Sequence, residues 1–199
     1  MSTDFLVPYP QGVVRQLFRA PILGYRFGFG GLINAAQIMV LTTRGRSSGI
    51  ARHAAIEYRQ HGSKIYIISA WGERPHWYRN LVECSEVTVQ RGSNVCAATA
   101  QVVTDSGEAL RVLHLFRRRA PGIYDSIIAR LSARESIDSR TLHEVTEAFT
   151  IVRIIPHAGE PSLPPVEVDS GWMMPAAIIG VGLLLIGAML RLRADKQSS

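Results

Sequence analysis

Cysteine is scarce in this chain, and no pattern of metal-binding residues is visible. The 199 residues include two cysteines, Cys84 and Cys96, which do not form a CxxC pair, and six histidines without paired spacing. These features argue against a disulfide framework and against a metal site, and they are typical of a reducing compartment. His76 alone lies near the candidate site described below, and a structural or solvent-exposed role is the simpler interpretation for it.

Signatures of nucleic-acid binding and of export are also missing. Lysine and arginine together number 22 against 16 acidic residues, which gives a formal net charge of +6. Nucleic acid is one polyanion that this charge would attract. No helix-turn-helix, zinc-finger or RNA-binding pattern is present, however, and we expect no nucleic-acid partner. Residues 1–10 have no basic region and precede no long apolar core, so the sequence does not predict a secretory signal peptide.

The stretch from Met39 to Asn80 contains the strongest structural pattern. Three short runs in it are rich in Val, Ile, Thr or Tyr and predict strands. These runs are Ile38–Thr42, Ala54–Tyr58 and Lys64–Ala70. The turn RGRSSG lies between the first two runs, and its Gly45 and Gly49 permit a positive φ.

Cations and hydroxyl groups crowd that turn. The side chains concerned are Arg44, Arg46, Ser47, Ser48 and Arg52. A turn of this composition can direct guanidinium groups and backbone N–H groups at a single anion. A solvated basic hairpin is the simpler alternative, because short motifs often match by chance.

Two further segments follow the third predicted strand. Ser69-Ala70-Trp71-Gly72 ends that strand with small residues and a glycine, where a flat ligand could lie against the backbone. HWYRNL then places two aromatic side chains, a cation and an amide within one short segment. For Trp77 and Leu81, packing of a helix against a barrel is the structural alternative.

The rest of the predicted domain contains further strands and helices. Strands are expected at Glu86–Gln90, Val95–Val103 and Phe149–Ile155, the first two joined by a Gly-containing hairpin turn at residues 91–94. A helix should begin at Asp105, with Leu110, Leu113 and Phe116 facing inward. Two shorter helices are predicted at Tyr124–Leu131 and Leu142–Ala148.

These motifs together resemble a known family. The pattern LTT-x-GR-x-SG-x-x-R, a strand ending in SxWGER, and the segments WYRNL and VTVQ are similar to those of deazaflavin-dependent nitroreductases and quinone reductases. The similarity extends from about Phe18 to Pro156. It implies a mainly β (α+β) fold, a split β-barrel of the flavin-reductase or FMN-binding type with peripheral helices. It also implies the cofactor, coenzyme F-420, a deazaflavin with a ribityl phosphodiester and a polyglutamate tail.

The resemblance assigns roles to the segments described above. The residues implied at the phosphodiester and tail are Arg46, Ser47, Ser48, Gly49 and Arg52. Many relatives have lysine at the position of Ser47, so one contact with the tail is expected to be missing. The residues implied at the deazaflavin ring are Ser69, Ala70, Trp71 and Gly72, and those at the wall of the pocket are Trp77, Tyr78 and Asn80. Tyr124 is the candidate proton donor, with water as the alternative.

The expected reaction is hydride transfer from reduced F-420 to a quinone, nitro or enone acceptor. Two other classes remain open from the residues. One is a split barrel that binds FMN or haem, and the other is a non-catalytic, membrane-tethered binding module. A homodimer is compatible with each of these interpretations.

Both ends of the chain suggest contact with a membrane. In the amphipathic segment at residues 1–34, the portion from Val13 to Phe29 either covers the barrel domain (residues 35–156) or meets a membrane interface. Residues 157–171 form a Pro-rich linker that is expected to be extended and exposed. Residues 172–190 carry no charge and just suffice to cross a bilayer, with a basic tail at 191–199.

We therefore expect a single-pass membrane protein, with a buried core helix at residues 172–190 as the alternative. The basic tail favours its own placement in the cytoplasm and the domain outside. The missing signal peptide and the cytosolic origin of the implied cofactor favour a cytoplasmic catalytic domain instead, and we adopt that topology. A membrane-dissolved acceptor such as a menaquinone would then be within reach of the domain.

Overall fold

The computed structural model describes residues 12–118, 150–169 and 171. Six strands within them form one closed barrel, in which every neighbouring pair is antiparallel and the spatial order is β1-β2-β3-β6-β5-β4. The strands are β1 (Ile38–Arg44), β2 (Ala51–His61), β3 (Lys64–Ser69), β4 (Glu86–Arg91), β5 (Asn94–Val102) and β6 (Thr150–Pro156). The mainly β barrel is thus confirmed, and each predicted strand is present with its ends moved by a few residues.

Alternate residues of each strand fill the barrel, because successive side chains of a strand point to opposite faces. Met39 and Leu41 of β1 are both fully buried, and the other five strands contribute similar pairs. These pairs are Ile56 and Tyr58, Ile65 and Ile67, Val87 and Val89, Ala98 and Ala100, and Val152 and Ile154. The apolar alternation visible in the sequence is therefore what determines the inside of the barrel.

Five helices within the described residues surround the barrel. They are α1 (Gly12–Leu17), α2 (Ala20–Arg26), α3 (Gly30–Ala35), α4 (His76–Glu83) and α5 (Ser106–Arg117). Helix α4 places Tyr78 and Leu81 in the same core cluster as the barrel interior. Helices α2 and α3 contribute Tyr25 and Ile33 to a second cluster, which lies on the outward side chain of Val40 in β1. None of the helices in the described part of the chain has the length and hydropathy that a bilayer crossing requires.

Helix α5 begins as the sequence predicts, but it presents a different face to the barrel. The Asp105 carboxylate accepts a hydrogen bond from the backbone N–H of Glu108 at 2.6 Å, which caps the helix. The prediction for Leu110 is wrong, because its side chain is 44% exposed. The buried residues of α5 are Ala109, Val112, Leu113 and Phe116. Their spacing matches one helical stripe, and Leu110 lies beside that stripe.

A polar network fastens α5 to the outside of the sheet. Tyr66 and Arg153 are neighbours across β3 and β6. The Tyr66 hydroxyl donates to Glu108 Oε1 at 2.8 Å, and Arg153 Nη1 donates to both carboxylate oxygens, at 2.9 and 2.7 Å. Burial, followed by the hydrogen bond and charge of Glu108, raises the pKa of Tyr66 to about 12. Burial also acts to raise the pKa of Glu108, but the bonds from Tyr66 and Arg153 outweigh it, so that the pKa is lowered.

Replacing Glu108 with glutamine should therefore destabilise the fold. The loss should be about 1.5–3 kcal/mol at neutral pH, the range for hydrogen bonds to a charged group. Because the folded pKa lies below the ordinary 4.5, the contribution is present above that value and is lost as the pH falls through the folded pKa. Urea unfolding as a function of pH measures both effects. If the difference in free energy of unfolding between wild type and Glu108→Gln stayed constant as the pH fell into the acid range, this assignment would be contradicted.

Most residues of the Pro-rich segment after β6 are exposed, but Leu163 and Val166 are buried. We call residues 163–169 the strap, because they lie along the outside of β4. Thr88 Oγ1 donates to the carbonyl of Leu163 at 2.8 Å. The Gln90 side-chain amide makes two hydrogen bonds with the backbone of Val166. Gln90 Nε2 donates to the Val166 carbonyl at 3.1 Å, and the Val166 N–H donates to Gln90 Oε1 at 2.9 Å. Outward polar side chains of β4 thus form hydrogen bonds with the backbone of the strap. The composition of the segment did not indicate these long-range contacts.

Several predicted features lie outside the described residues. They are the helices at 124–131 and 142–148, the candidate proton donor Tyr124, the membrane span at 172–190 and the basic tail at 191–199. The two cysteines are described and are both free and half-buried.

Candidate functional site

The barrel topology brings the predicted segments to one end, which we call the site end. Arg44 at the end of β1 pairs with Ala51 at the start of β2. Ser69 at the end of β3 pairs with Thr150 at the start of β6. Because all the strands are antiparallel, the turn between β1 and β2 and the connection after β3 leave the barrel at the same end. Helix α4 follows that connection.

Two glycines shape the turn at residues 45–50 for different reasons. The Gly45 N–H donates to the carbonyl of Ile50 at 2.9 Å, and the Gly49 N–H donates to the carbonyl of Gly45 at 2.7 Å. Gly49 has φ +67°, a conformation that glycine adopts without steric cost. Gly45 does not have a positive φ, but a Cβ there would lie 2.8 Å from Ser48 Oγ and 3.0 Å from the Ile50 carbonyl. A positive φ was predicted as the reason for both glycines, and only Gly49 has one.

The side chains of this turn form a basic, hydroxyl-rich surface. Arg46, Ser47, Ser48, Gly49 and Arg52 are all exposed. Arg52 Nη2 lies 3.5 Å from Ser48 Oγ. Within the described residues, neither Arg46 nor Arg52 forms an ion pair with a carboxylate. Two guanidinium groups without internal counter-charges, next to hydroxyl groups, suit a phosphodiester and a carboxylate tail.

Asn80, on helix α4, connects that helix to the turn at residues 45–50. Its side chain is buried, and the residue is only 3% exposed. Asn80 Oδ1 accepts from the backbone N–H of Arg46 at 3.3 Å and lies 3.5 Å from Arg46 Nη1. Asn80 Nδ2 donates to Thr43 Oγ1 at 3.1 Å. The structure thus places Asn80 where it holds the basic turn, with little surface left to form the wall of a pocket.

The side chain of Ser69 closes the turn after β3. The Ser69 hydroxyl donates to the carbonyl of Gly72 at 2.5 Å, and the Gly72 N–H lies 3.3 Å from the Ser69 carbonyl. Gly72 has φ +53°, in the left-handed region. Ser69 and Gly72 are buried, Trp71 is half-buried and Ala70 is exposed. Ala70 and Trp71 are accordingly the members of this turn whose side chains reach the surface.

The predicted aromatic residues occupy two different positions. Trp71 meets the ring of Phe18 edge to face, with 5.7 Å between centroids and an interplanar angle of 87°. Trp77 and Tyr78 form a second edge-to-face pair at 6.1 Å. Tyr78 is a core residue and Trp77 packs against that core. Helix-to-barrel packing, the alternative weighed for Trp77 and Leu81, is thus present.

Tyr78 stays protonated at neutral pH. Burial raises its pKa, and the charge and hydrogen bond of Glu73 add to that effect, while a hydrogen bond with Thr150 acts in the opposite direction. The ring therefore supports α4 as a neutral, packed side chain.

Two residues of the site end were not found from the sequence. Phe18 contacts Trp71 from the connection between α1 and α2, and Thr43 receives the Asn80 amide within β1. Thr43 belongs to the LTT motif, and strand alternation could have placed it on the same side as Leu41. No local pattern indicates the contact of Phe18, because it depends on how the N-terminal helices return to the barrel.

Comparison with known proteins agrees with this geometry. Residues 24–134, more than half of the chain, match the model of a family described as F-420H(2)-dependent quinone reductase. The matched range includes the basic turn, the turn after β3 and helix α4.

Solved structures also align with the chain. An F-420-H2 dependent reductase aligns with 19% identity and a TM-score of 0.42, covering 59% of this chain and 93% of its own. The haem storage protein HutZ from Vibrio cholerae aligns with 15% identity and a TM-score of 0.45, covering 64% and 87%. An FAD-binding protein from Mesorhizobium loti aligns with 14% identity and a TM-score of 0.38, covering 63% and 85%.

The family match therefore carries the assignment. It spans the elements that bring the basic turn, the glycine turn and α4 together. The chain belongs to the F-420H(2)-dependent quinone reductase family, and it is an oxidoreductase whose cofactor is the deazaflavin coenzyme F-420.

Proposed function

We propose that this protein transfers a hydride from reduced F-420 to a quinone at the site end of the barrel. One observation carries the proposal. The basic turn and α4, which are far apart in the sequence, are joined there by the buried Asn80. Nitro and enone acceptors remain the other candidates within the same reaction class.

In this proposal, the turn between β1 and β2 binds the anionic part of the cofactor. Arg46 and Arg52 supply guanidinium groups, and Ser47 and Ser48 supply hydroxyl groups. Gly49 leaves its backbone uncovered, since nothing lies within 4 Å of the position a Cβ would take. Arginine suits this task because its planar fork matches both phosphate and carboxylate oxygens.

The turn after β3 borders the ring in the same proposal. Ala70 and Trp71 offer side-chain surface to the ring. Gly72 has no side chain that would keep the ring away from the backbone, and the hydrogen bond from the Ser69 hydroxyl to the Gly72 carbonyl holds the turn closed. Trp77 and Tyr78 support the pocket through the packing of α4. Reduced F-420 supplies the hydride, and the protein orients the ring against the acceptor.

The proton for the reduced acceptor requires a separate source. Tyr78 is a poor candidate, because it is buried and its pKa is raised. Tyr124 lies outside the described residues and stays a candidate from the sequence. Water at the open side of the site is the alternative that we favour.

Titration of F-420 into the purified protein, followed by the fluorescence of the deazaflavin, tests cofactor binding directly. The absorbance spectrum of the protein as purified distinguishes the FMN and haem alternatives, because both groups absorb visible light. Turnover of reduced F-420 with menadione would exclude a non-catalytic binding module.

Replacing Arg46 with alanine should weaken F-420 binding. The expected loss is about 1.5–3 kcal/mol, the range for hydrogen bonds made by a charged group. The difference from wild type should shrink at high salt, because exposed charges are screened. Arg111→Ala is the matched control, since Arg111 is an exposed cation on α5 whose Nη2 lies 3.9 Å from the exposed carboxylate of Asp105. Equal affinities of wild type and Arg46→Ala would remove Arg46 from the site.

We further propose that residues 172–190 anchor the protein in a membrane, with a cytoplasmic catalytic domain and a menaquinone as acceptor. The support is the uncharged composition of that segment and the basic tail after it. The topology rests on the cytosolic origin of the cofactor.

A truncation after Gly171 should separate anchoring from chemistry. It keeps the strap, which packs on the barrel, and removes only the apolar segment and tail. We expect an unchanged rate with water-soluble menadione and a large loss with long-chain menaquinone in liposomes. Unchanged rates with both acceptors would mean that the anchor does not serve access to the acceptor.

A further inference from the structure

The N-terminal helices have an apolar face on each side. Helix α2 turns Tyr25 towards the barrel, where it is buried with Val40 and Val166. Helices α1, α2 and α3 nevertheless each keep a large apolar side chain in solvent, with Leu17 72%, Leu23 51% and Leu32 72% exposed. Phe18, Phe27 and Phe29 are also exposed. A second apolar surface of this kind on successive short helices marks an interaction site.

The charge of this segment has a single sign. Arg19 and Arg26 are exposed and flank Leu23 in the sequence, and residues 12–37 contain no aspartate or glutamate. Arginine beside exposed apolar side chains is the composition of a helix that lies in the headgroup region of an anionic bilayer.

The strap leads the chain directly to this surface. Val166 is buried in the cluster with Tyr25. The N–H of Asp169 donates to the carbonyl of Arg26 at 2.8 Å. Val168 lies over the connection between α2 and α3, because a Cβ on Gly28 would be 3.7 Å from Val168 Cγ1. The uncharged run begins in the sequence at residue 172, three positions after Asp169.

We propose that the surface formed by Leu17, Leu23, Leu32, Arg19 and Arg26 docks on an anionic bilayer, and that the strap fixes this orientation. The proposal rests on the membrane anchor proposed above and deepens it. A free linker would let the domain rotate, whereas the bond from Asp169 to the Arg26 carbonyl holds the chain against α2 three positions before the proposed anchor begins in the sequence. Phe18, at the edge of the same surface, contacts Trp71, so the docked face lies beside the ring-bordering turn.

A fluorescent label at position 32 tests the docking surface in the full chain. The background is Cys84→Ser with Cys96→Ser, and the label is attached to Leu32→Cys or, as a matched control, to Leu110→Cys on α5. In vesicles of phosphatidylcholine and phosphatidylglycerol, we expect a blue shift and quenching by brominated lipid at position 32 and neither at position 110. Water-like emission at both positions would overturn the proposal.

Two further measurements test the parts of the proposal separately. In vesicles of phosphatidylcholine alone, quenching at position 32 should fall, and equal quenching would remove the role of Arg19 and Arg26. Gln90→Ala deletes the two bonds between the Gln90 side chain and Val166 of the strap, and it should reduce quenching at position 32 while the protein stays in the vesicles. Unchanged quenching in that variant would overturn the role of the strap. None of these readouts requires F-420, so they can fail while the proposed reaction stands.

Discussion

Replacing Gly72 with valine should abolish turnover of reduced F-420 while the barrel stays folded. Gly72 has φ +53°, which a β-branched residue rarely adopts. The strain costs about 1–2 kcal/mol, too little by itself to unfold a typical domain. The larger effect should come from the added side chain, because Gly72 lies in the turn that we propose to border the ring. Steady-state turnover with menadione and circular dichroism measure the two properties.

Gly62→Val is the matched control for strain. Gly62 has φ +59° in the turn between β2 and β3, at the opposite end of the barrel, and nothing lies within 4 Å of its Cβ position. The control should lose a similar amount of stability and keep its activity. Normal turnover in Gly72→Val would mean that the ring lies elsewhere. An equal loss of turnover in Gly72→Val and Gly62→Val would mean that backbone strain alone causes the loss.

Replacing Asn80 with leucine should damage both stability and F-420 binding. The variant leaves the Thr43 hydroxyl and the Arg46 N–H without the Asn80 partner, and a buried group left unpaired costs about 1–3 kcal/mol. The basic turn would lose its attachment to α4, so the arginines would no longer be held in position. Denaturant unfolding and F-420 titration should therefore both change.

Asn80→Asp separates the two effects. A carboxylate can still accept from Arg46 and can accept from the Thr43 hydroxyl, so most of the stability should remain. Its negative charge beside Arg46 would compete with the anionic cofactor, so affinity should still fall. Asn34→Leu is the matched control, because Asn34 Oδ1 accepts from the Tyr58 hydroxyl at 2.8 Å, away from the basic turn. If Asn34→Leu lowered F-420 affinity as much as Asn80→Leu, the specific role of Asn80 would be lost.

Local patterns in the sequence were sufficient for the strands and the turns between them. Alternation of apolar residues placed the barrel interior, and glycines marked turns at positions such as 49 and 92, which have positive φ. Asp105 marked the start of α5. These features depend on neighbours within a few residues, so they can be read without the fold. The motifs of the basic turn and α4 also sufficed for the family and its cofactor.

The tertiary structure alone decided how distant residues are used. Asn80 was predicted as a wall of the pocket, and the structure shows it buried under Arg46, a contact that spans 34 positions. The Pro-rich linker was predicted to be extended and exposed, and the structure shows in addition that outward polar residues of β4 bond to the backbone of the strap. Leu110 was predicted inward and lies beside the buried stripe of α5. For Asn80 and the strap, the partner comes from a remote part of the chain, and composition and periodicity carry no information about which remote backbone or side chain will meet it.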